Sequence, residues 1–81
     1  MHIAVLGGGS WGTALADMLA RKGERVRLWV RNAEAAREIS ETGMNARYLP
    51  GHALCPALEI RSDPAEVLHG ADCVVLEIPC Q

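Results

Sequence analysis

Gly7-Gly8-Gly9-Ser10-Trp11-Gly12 comes directly after the continuous apolar run of residues 3–6 and directly before a stretch with helical spacing. An unbroken apolar run suits a parallel strand covered on both faces. From Ser10 onward, Trp11, Ala14, Leu15, Met18 and Leu19 recur at the i, i+3, i+4, i+7, i+8 spacing of a helix with one apolar face. Arg21 and Lys22 in its last turn, with Gly23 beyond, mark where that helix stops. The pattern G-x-G-x-x-G is weak alone, because glycine-rich turns are common. Set between a strand and a helix, with a second strand ending near residue 30, it becomes the fingerprint of a βαβ unit that binds a dinucleotide. Gly7 then makes the tight turn, Gly9 lets the backbone approach a pyrophosphate, and Gly12 lets the helix pack closely on the strand. The helix N-terminus, with its N–H groups and partial positive charge, would hold the phosphates, and the Ser10 hydroxyl adds a donor. The plainer alternative is that the glycines only permit a sharp turn, and the βαβ context argues against it.

The rest of the chain keeps alternating strand with helix. Residues 25–30 place apolar Val26, Leu28 and Val30 against Arg25 and Arg27, a second strand less enclosed than the first. Asn32 can cap a helix over Ala33–Thr42, with Ala35, Ala36 and Ile39 as its apolar residues and Gly43 closing it. Residues 44–56 hold two prolines, a glycine and a histidine without sustained periodicity, and read as a loop long enough to expect a task for it. Residues 58–60 are a candidate short strand. Asp63-Pro64-Ala65-Glu66 then supply a cap, a proline at the first helical position and an acid three residues after the cap, opening a short helix that Gly70 ends after His69. Residues 73–78, apolar except for Glu77, form a last strand that Pro79 terminates. The order is that of an α/β fold: part of a Rossmann-type doubly wound parallel sheet, about four strands with helices on both faces.

With 81 residues the chain has room for one small domain at most, which excludes a two-domain enzyme within this stretch. Its 49% hydrophobic and 22% charged residues are ordinary for a globular fold and far from disorder. A net charge of −2 argues against a nucleic-acid partner, whose modules carry a basic stripe. Cys55, Cys73 and Cys80 cannot all pair and match neither a CxxC redox site nor a zinc knuckle, so reduced thiols and a cytoplasmic location are expected, with no metal site. The first residues lack the basic flank and cleavage site of a signal peptide. No apolar run approaches the roughly 20 residues of a membrane helix.

The end of the second strand decides between the two nicotinamide dinucleotides. There an acid would hydrogen-bond the ribose 2′-hydroxyl of NAD, whereas an arginine suits the 2′-phosphate of NADP. The sequence runs Trp29-Val30-Arg31-Asn32, with no carboxylate at that place, so NADP is favoured, while nearby Glu34 leaves NAD open. Trp11 either packs inward or flanks the diphosphate. Tyr48 lies in the long loop with Asn45, Arg47 and Leu49-Pro50-Gly51 and is read both as a loop anchor and as a ligand contact. His2, His52 and His69 are isolated and read as solvated or cap residues. Asp17 reads as a solvent-facing charge on the first helix. Glu77 is a lone carboxylate in an apolar run with no evident partner, and nothing near Cys80 would activate its thiol.

Four blocks carry a more specific resemblance: Gly7-x-Gly9-Ser10-Trp11-Gly12-Thr13-Ala14-Leu15-Ala16; Leu28-Trp29-x-Arg31; Asn45-Ala46-Arg47-Tyr48-Leu49-Pro50-Gly51; and Val74-Val75 leading to Ile78-Pro79. Together they resemble the start of NAD(P)-dependent glycerol-3-phosphate dehydrogenase over essentially the whole chain. The resemblance implies an enzyme that reversibly reduces dihydroxyacetone phosphate to sn-glycerol 3-phosphate for phospholipid synthesis. It implies Gly7, Gly9, Ser10, Trp11, Gly12, Arg31 and Tyr48 as cofactor-binding residues. In that family the catalytic lysine and the substrate-phosphate groups lie beyond the fourth strand, largely in a separate helical domain. Residues 1–81 are therefore expected to be the N-terminal part of the cofactor domain, inactive alone, with a small-molecule substrate, no nucleic-acid or membrane partner, and a possible homodimer. The one lysine, Lys22, sits at the far end of the first helix. The ending Pro79-Cys80-Gln81 departs from relatives that more often place a hydroxyl residue after the proline. Rival readings are another Rossmann reductase and a non-catalytic nucleotide-binding module.

Overall fold

The computed structural model describes residues 1–7, 9–46 and 50–76. Strand β1 (His2–Leu6) leads through the glycine turn into helix α1 (Ser10–Arg21), and strand β2 (Arg25–Trp29) follows. Then come α2 (Ala33–Thr42), β3 (Glu59–Arg61), α3 (Pro64–Leu68) and β4 (Cys73–Leu76). The four strands are all parallel and lie in the order β3-β2-β1-β4. β1 pairs with β2 on one side and β4 on the other, and with helices over both faces of the sheet Ile3, Ala4 and Val5 are buried. That enclosure is why the run could be uninterruptedly apolar.

Chain order and sheet order together place the helices. Two successive crossovers move outward from β1 to β3, and the third returns past β1 to β4. Right-handed crossovers therefore set α1 and α2 on one face and α3 on the other. The packing agrees. Ile3, Val5, Val26, Leu28 and Ile60 form one core with Ala16 and Ala20 of α1 and Ala36 and Ile39 of α2. Ala4 and Val67 are fully buried outside that cluster. Arg27 serves the α3 face, where its guanidinium donates to the carbonyls of Glu66 at 2.8 Å and His69 at 3.2 Å, answering orphaned acceptors at the end of that short helix.

Local punctuation matches expectation closely. Asn32 Oδ1 accepts from the N–H groups of Glu34 and Ala35 at 2.9 and 3.1 Å, and Gly43, at φ +72°, ends α2 in the left-handed conformation. Asp63 caps α3 through the Ala65 N–H at 2.9 Å. Glu66 does not close a capping box; its carboxylate lies 3.9 Å from Arg61 Nε.

Three readings are corrected. The apolar residues expected on the inner face of α1 reach it only in part: Leu19 is half-buried against the core, but Trp11 and Met18 are exposed, while Gly12, Thr13, Ala16, Asp17 and Ala20 are buried. Small side chains let the helix lie close on the sheet, which the bulkier set would prevent. Asp17, expected in solvent, is 4% exposed. Among the histidines, read as solvated or cap residues, His2 is instead buried within β1, His52 bonds to Asp17, and His69 is the C-cap of α3. Residues 77–81, with Glu77 and Cys80, lie outside the described residues.

Candidate functional site

At the C-terminal ends of β1 and β2 the chain leaves an open crevice of about 1100 Å³. Ligands of open α/β sheets sit in this place, beside the point where strand order reverses. One wall is the turn after β1. Gly7 takes φ +135°, a conformation that side chains oppose, while its N–H still reaches the Trp29 carbonyl at 3.3 Å. Gly9, extended at φ −73° and ψ −178°, is the N-cap of α1, and its carbonyl accepts the Thr13 N–H at 2.9 Å. The cap residue has no side chain to answer the helix's leading N–H groups, and the first turn carries no acid. The positive end of α1 therefore faces the crevice with no acid in its own first turn to neutralise it.

The second wall begins at the end of β2. Trp29 is fixed by its indole Nε1, which donates to the Ser62 carbonyl at 2.9 Å, and Val30 N–H donates to the Arg61 carbonyl at 2.9 Å. Arg31 follows, exposed and without a hydrogen bond or ion pair to any described residue. Glu34, Ala35, Glu38 and Ile39 of α2 continue the lining, and Met44, Asn45 and Ala46 complete it from the loop.

Of the residues singled out in the sequence, Gly7, Gly9, Ser10, Trp11 and Arg31 thus share one crevice. Gly12 does not line it; it is buried in the first turn of α1. Tyr48 lies outside the described residues. Sequence reasoning missed Trp29, Glu38 and Met44 as lining residues, and it missed the contact in which Asn45 Nδ2 donates to Thr13 Oγ1 at 3.0 Å. Asn45 had already stood out in the Tyr48 block; its pairing with Thr13 spans 32 positions and leaves no local trace.

Behind the crevice, Asp17 organises the other leg of the loop. Oδ1 accepts the Cys55 N–H at 2.6 Å, and Oδ2 accepts from His52 Nε2 at 2.9 Å and Arg21 Nε at 3.0 Å. Burial pushes this carboxyl up, but the bonds from His52, Arg21 and the Cys55 amide, with the Arg21 charge, outweigh it and hold the group below its ordinary 3.8.

The comparisons with known proteins agree on one group. The family model for the N-terminus of NAD-dependent glycerol-3-phosphate dehydrogenase matches residues 2–81. A glycerol-3-phosphate dehydrogenase of Solidesulfovibrio magneticus that is named for NAD(P)+ is 51% identical over the whole chain, which covers 24% of that relative. The chain thus spans about a quarter of the length of the curated relatives it matches. Among solved structures, glycerol-3-phosphate dehydrogenase from Coxiella burnetii is 43% identical with a TM-score of 0.86, over 93% of this chain and 23% of that one. The enzyme from Saccharomyces cerevisiae is 28% identical with a TM-score of 0.86, over 98% of this chain and 26% of that one.

Proposed function

The chain belongs to the NAD-dependent glycerol-3-phosphate dehydrogenase family, as its N-terminal region, and on that premise we propose that it is the cofactor-binding portion of an enzyme interconverting dihydroxyacetone phosphate and sn-glycerol 3-phosphate. In the reducing direction the substrate carbonyl takes a hydride from NAD(P)H and a proton, giving the alcohol and NAD(P)+. The observation that carries the reading is that the glycine-capped start of α1 and the guanidinium of Arg31 line the same crevice. A dinucleotide needs both an anion site for its pyrophosphate and a recognition group at its adenosine ribose.

The residues present fit that group. Gly7 takes the turn, the N-terminal amides of α1 with Ser10 meet the diphosphate, and Gly12 keeps the helix close to the sheet. Arg31 pairs with the 2′-phosphate, so NADP is the preferred form, while Glu34 on the same lining can accept from the 2′-hydroxyl of NAD. Trp11 flanks the diphosphate and Tyr48 belongs to the same set. When bound, the nicotinamide supplies the hydride, and these residues bind and orient it.

No catalytic group is assigned within residues 1–81. Lys22 is the C-cap of α1, at the opposite end of that helix from the crevice. The family resemblance implies that the acid–base and substrate-phosphate groups would lie in the part of the relatives' length that this stretch does not cover. Exposed Val74 and Leu76 on edge strand β4 support further elements packing there. We place the whole enzyme in the cytoplasm, serving phospholipid synthesis.

The test is a titration of the full-length protein with NADPH and NADH, followed by nicotinamide fluorescence, with dihydroxyacetone phosphate reduction assayed alongside. Saturable binding with turnover is expected, NADPH being the tighter ligand. Absence of dinucleotide binding by the folded enzyme overturns the reading.

A further inference from the structure

The two described legs of the loop after α2, residues 44–46 and 50–56, are held to α1 at two places one helical turn apart. At the crevice end, Asn45 Nδ2 meets Thr13 Oγ1. One turn on, the returning leg is gripped three times: Asp17 takes the His52 ring and the Cys55 amide, and Arg21 Nη2 donates to the Ala53 carbonyl at 2.7 Å. The two legs are themselves joined, by the antiparallel bridge between Met44 and Ala53 and by the Leu54 N–H on the Gly43 carbonyl at 2.7 Å. Fixing the returning leg therefore fixes the outgoing one, and the outgoing leg supplies Met44, Asn45 and Ala46 to the crevice wall.

We propose that Asp17 is a positioning residue for dinucleotide binding: it touches no cofactor, but holds residues 52–55 so that residues 44–46 stand in place on the crevice. The inference rests on the dinucleotide reading above. A nearly fully buried carboxylate is costly unless its oxygens are matched by donors. Here both are engaged, one of them twice, and two of the three donors come from residues of the loop. Helix α1 has its own hydrophobic contacts with the sheet through Ala16 and Ala20, so the carboxylate serves the loop more than the helix. Arg21, itself paired with Asp17, extends the grip to a third loop residue.

Asp17→Asn tests this in the full-length enzyme. The amide keeps the shape and one acceptor oxygen, enough for the Cys55 N–H, but its nitrogen cannot accept from His52 or Arg21. If the loop then occupies its competent position about a tenth of the time, the Kd for NADPH rises about tenfold while kcat at saturating cofactor stays within about twofold. Val67→Ala, which opens a cavity under α3 on the opposite face, is the control for plain destabilisation. It is expected to lower the melting temperature with the Kd unmoved. His52→Ala should raise the Kd in the same direction by less. If Asp17→Asn lowers the melting temperature as Val67→Ala does and leaves the Kd alone, the positioning role is overturned. If the unaltered enzyme binds neither NADPH nor NADH, the dinucleotide reading falls and this inference with it.

Discussion

The Asn45 amide donates to the Thr13 hydroxyl across 3.0 Å, both side chains buried, and this contact brings the loop after α2 against the first turns of α1 beside the crevice. Thr13→Val keeps the shape and removes the acceptor. Loss of a buried hydrogen-bond partner costs about 1–3 kcal/mol, and a loss in that range is expected in urea denaturation of the variant. A change within about 0.5 kcal/mol, the scatter of inert surface substitutions, would show that another contact holds this leg.

Arg31 is expected to act on cofactor choice and hardly on folding, because it is exposed and has no partner among the described residues. Arg31→Asp sets a carboxylate against a 2′-phosphate while offering an acceptor to a 2′-hydroxyl. Losing charge-assisted bonds worth about 1.5–3 kcal/mol weakens NADPH binding by about 10- to 150-fold. NADH affinity should hold or improve, and equilibrium titration of both cofactors against the variant reads the difference. Equal affinities before and after would make Arg31 a bystander.

Local chemistry made most of the fold legible. The α2 boundaries could be read because Asn32 and Gly43 act on their immediate neighbours, and the parallel sheet could be read because Ile3, Ala4 and Val5 are apolar without a break. The inward face of α1 could not. Periodicity weighs side-chain hydrophobicity, whereas the buried positions of this helix are held by the small Gly12, Thr13, Ala16 and Ala20, with Trp11 left on the crevice. Asp17 was misread for a different reason. It read as a solvent-facing charge because nothing nearby in sequence marks it for burial; His52 and Cys55, 35 and 38 positions on, are what allow it to be buried. The crevice was legible at Gly7, Gly9 and Arg31 because the βαβ unit fixes their relation; the loop wall was not, because its placement depends on side chains far away in sequence.

Asp17 also gives the stability a dependence on acid. Its pKa in the folded chain lies below its ordinary value of 3.8, so folding favours the ionised form. The stabilisation is complete above that ordinary value and is lost as pH falls through the lower, folded value. Urea midpoints measured from about pH 5 down to about pH 2 should fall more steeply for the unaltered protein than for Asp17→Asn, which has no proton to take up there. Parallel curves would mean that other carboxylates carry the acid sensitivity.

Gly7 and Gly70 both have positive φ, +135° and +71°, but only Gly7 lines the crevice. An alanine at Gly70 meets only ordinary contact with the His2 ring at 3.8 Å, so its cost is backbone strain, about 1–2 kcal/mol. At Gly7 the conformation lies further from any region open to side chains, and about 1–3 kcal/mol of strain is expected. The two variants should therefore lose comparable stability in urea denaturation. They should differ in binding: Gly7→Ala reshapes the turn that sets the start of α1 against the diphosphate and weakens NADPH, while Gly70→Ala, between α3 and β4, leaves the affinity as it was. Unchanged affinity in both variants would reduce the glycine motif to a sharp turn. An equal loss in both would tie binding to overall stability instead of to this turn.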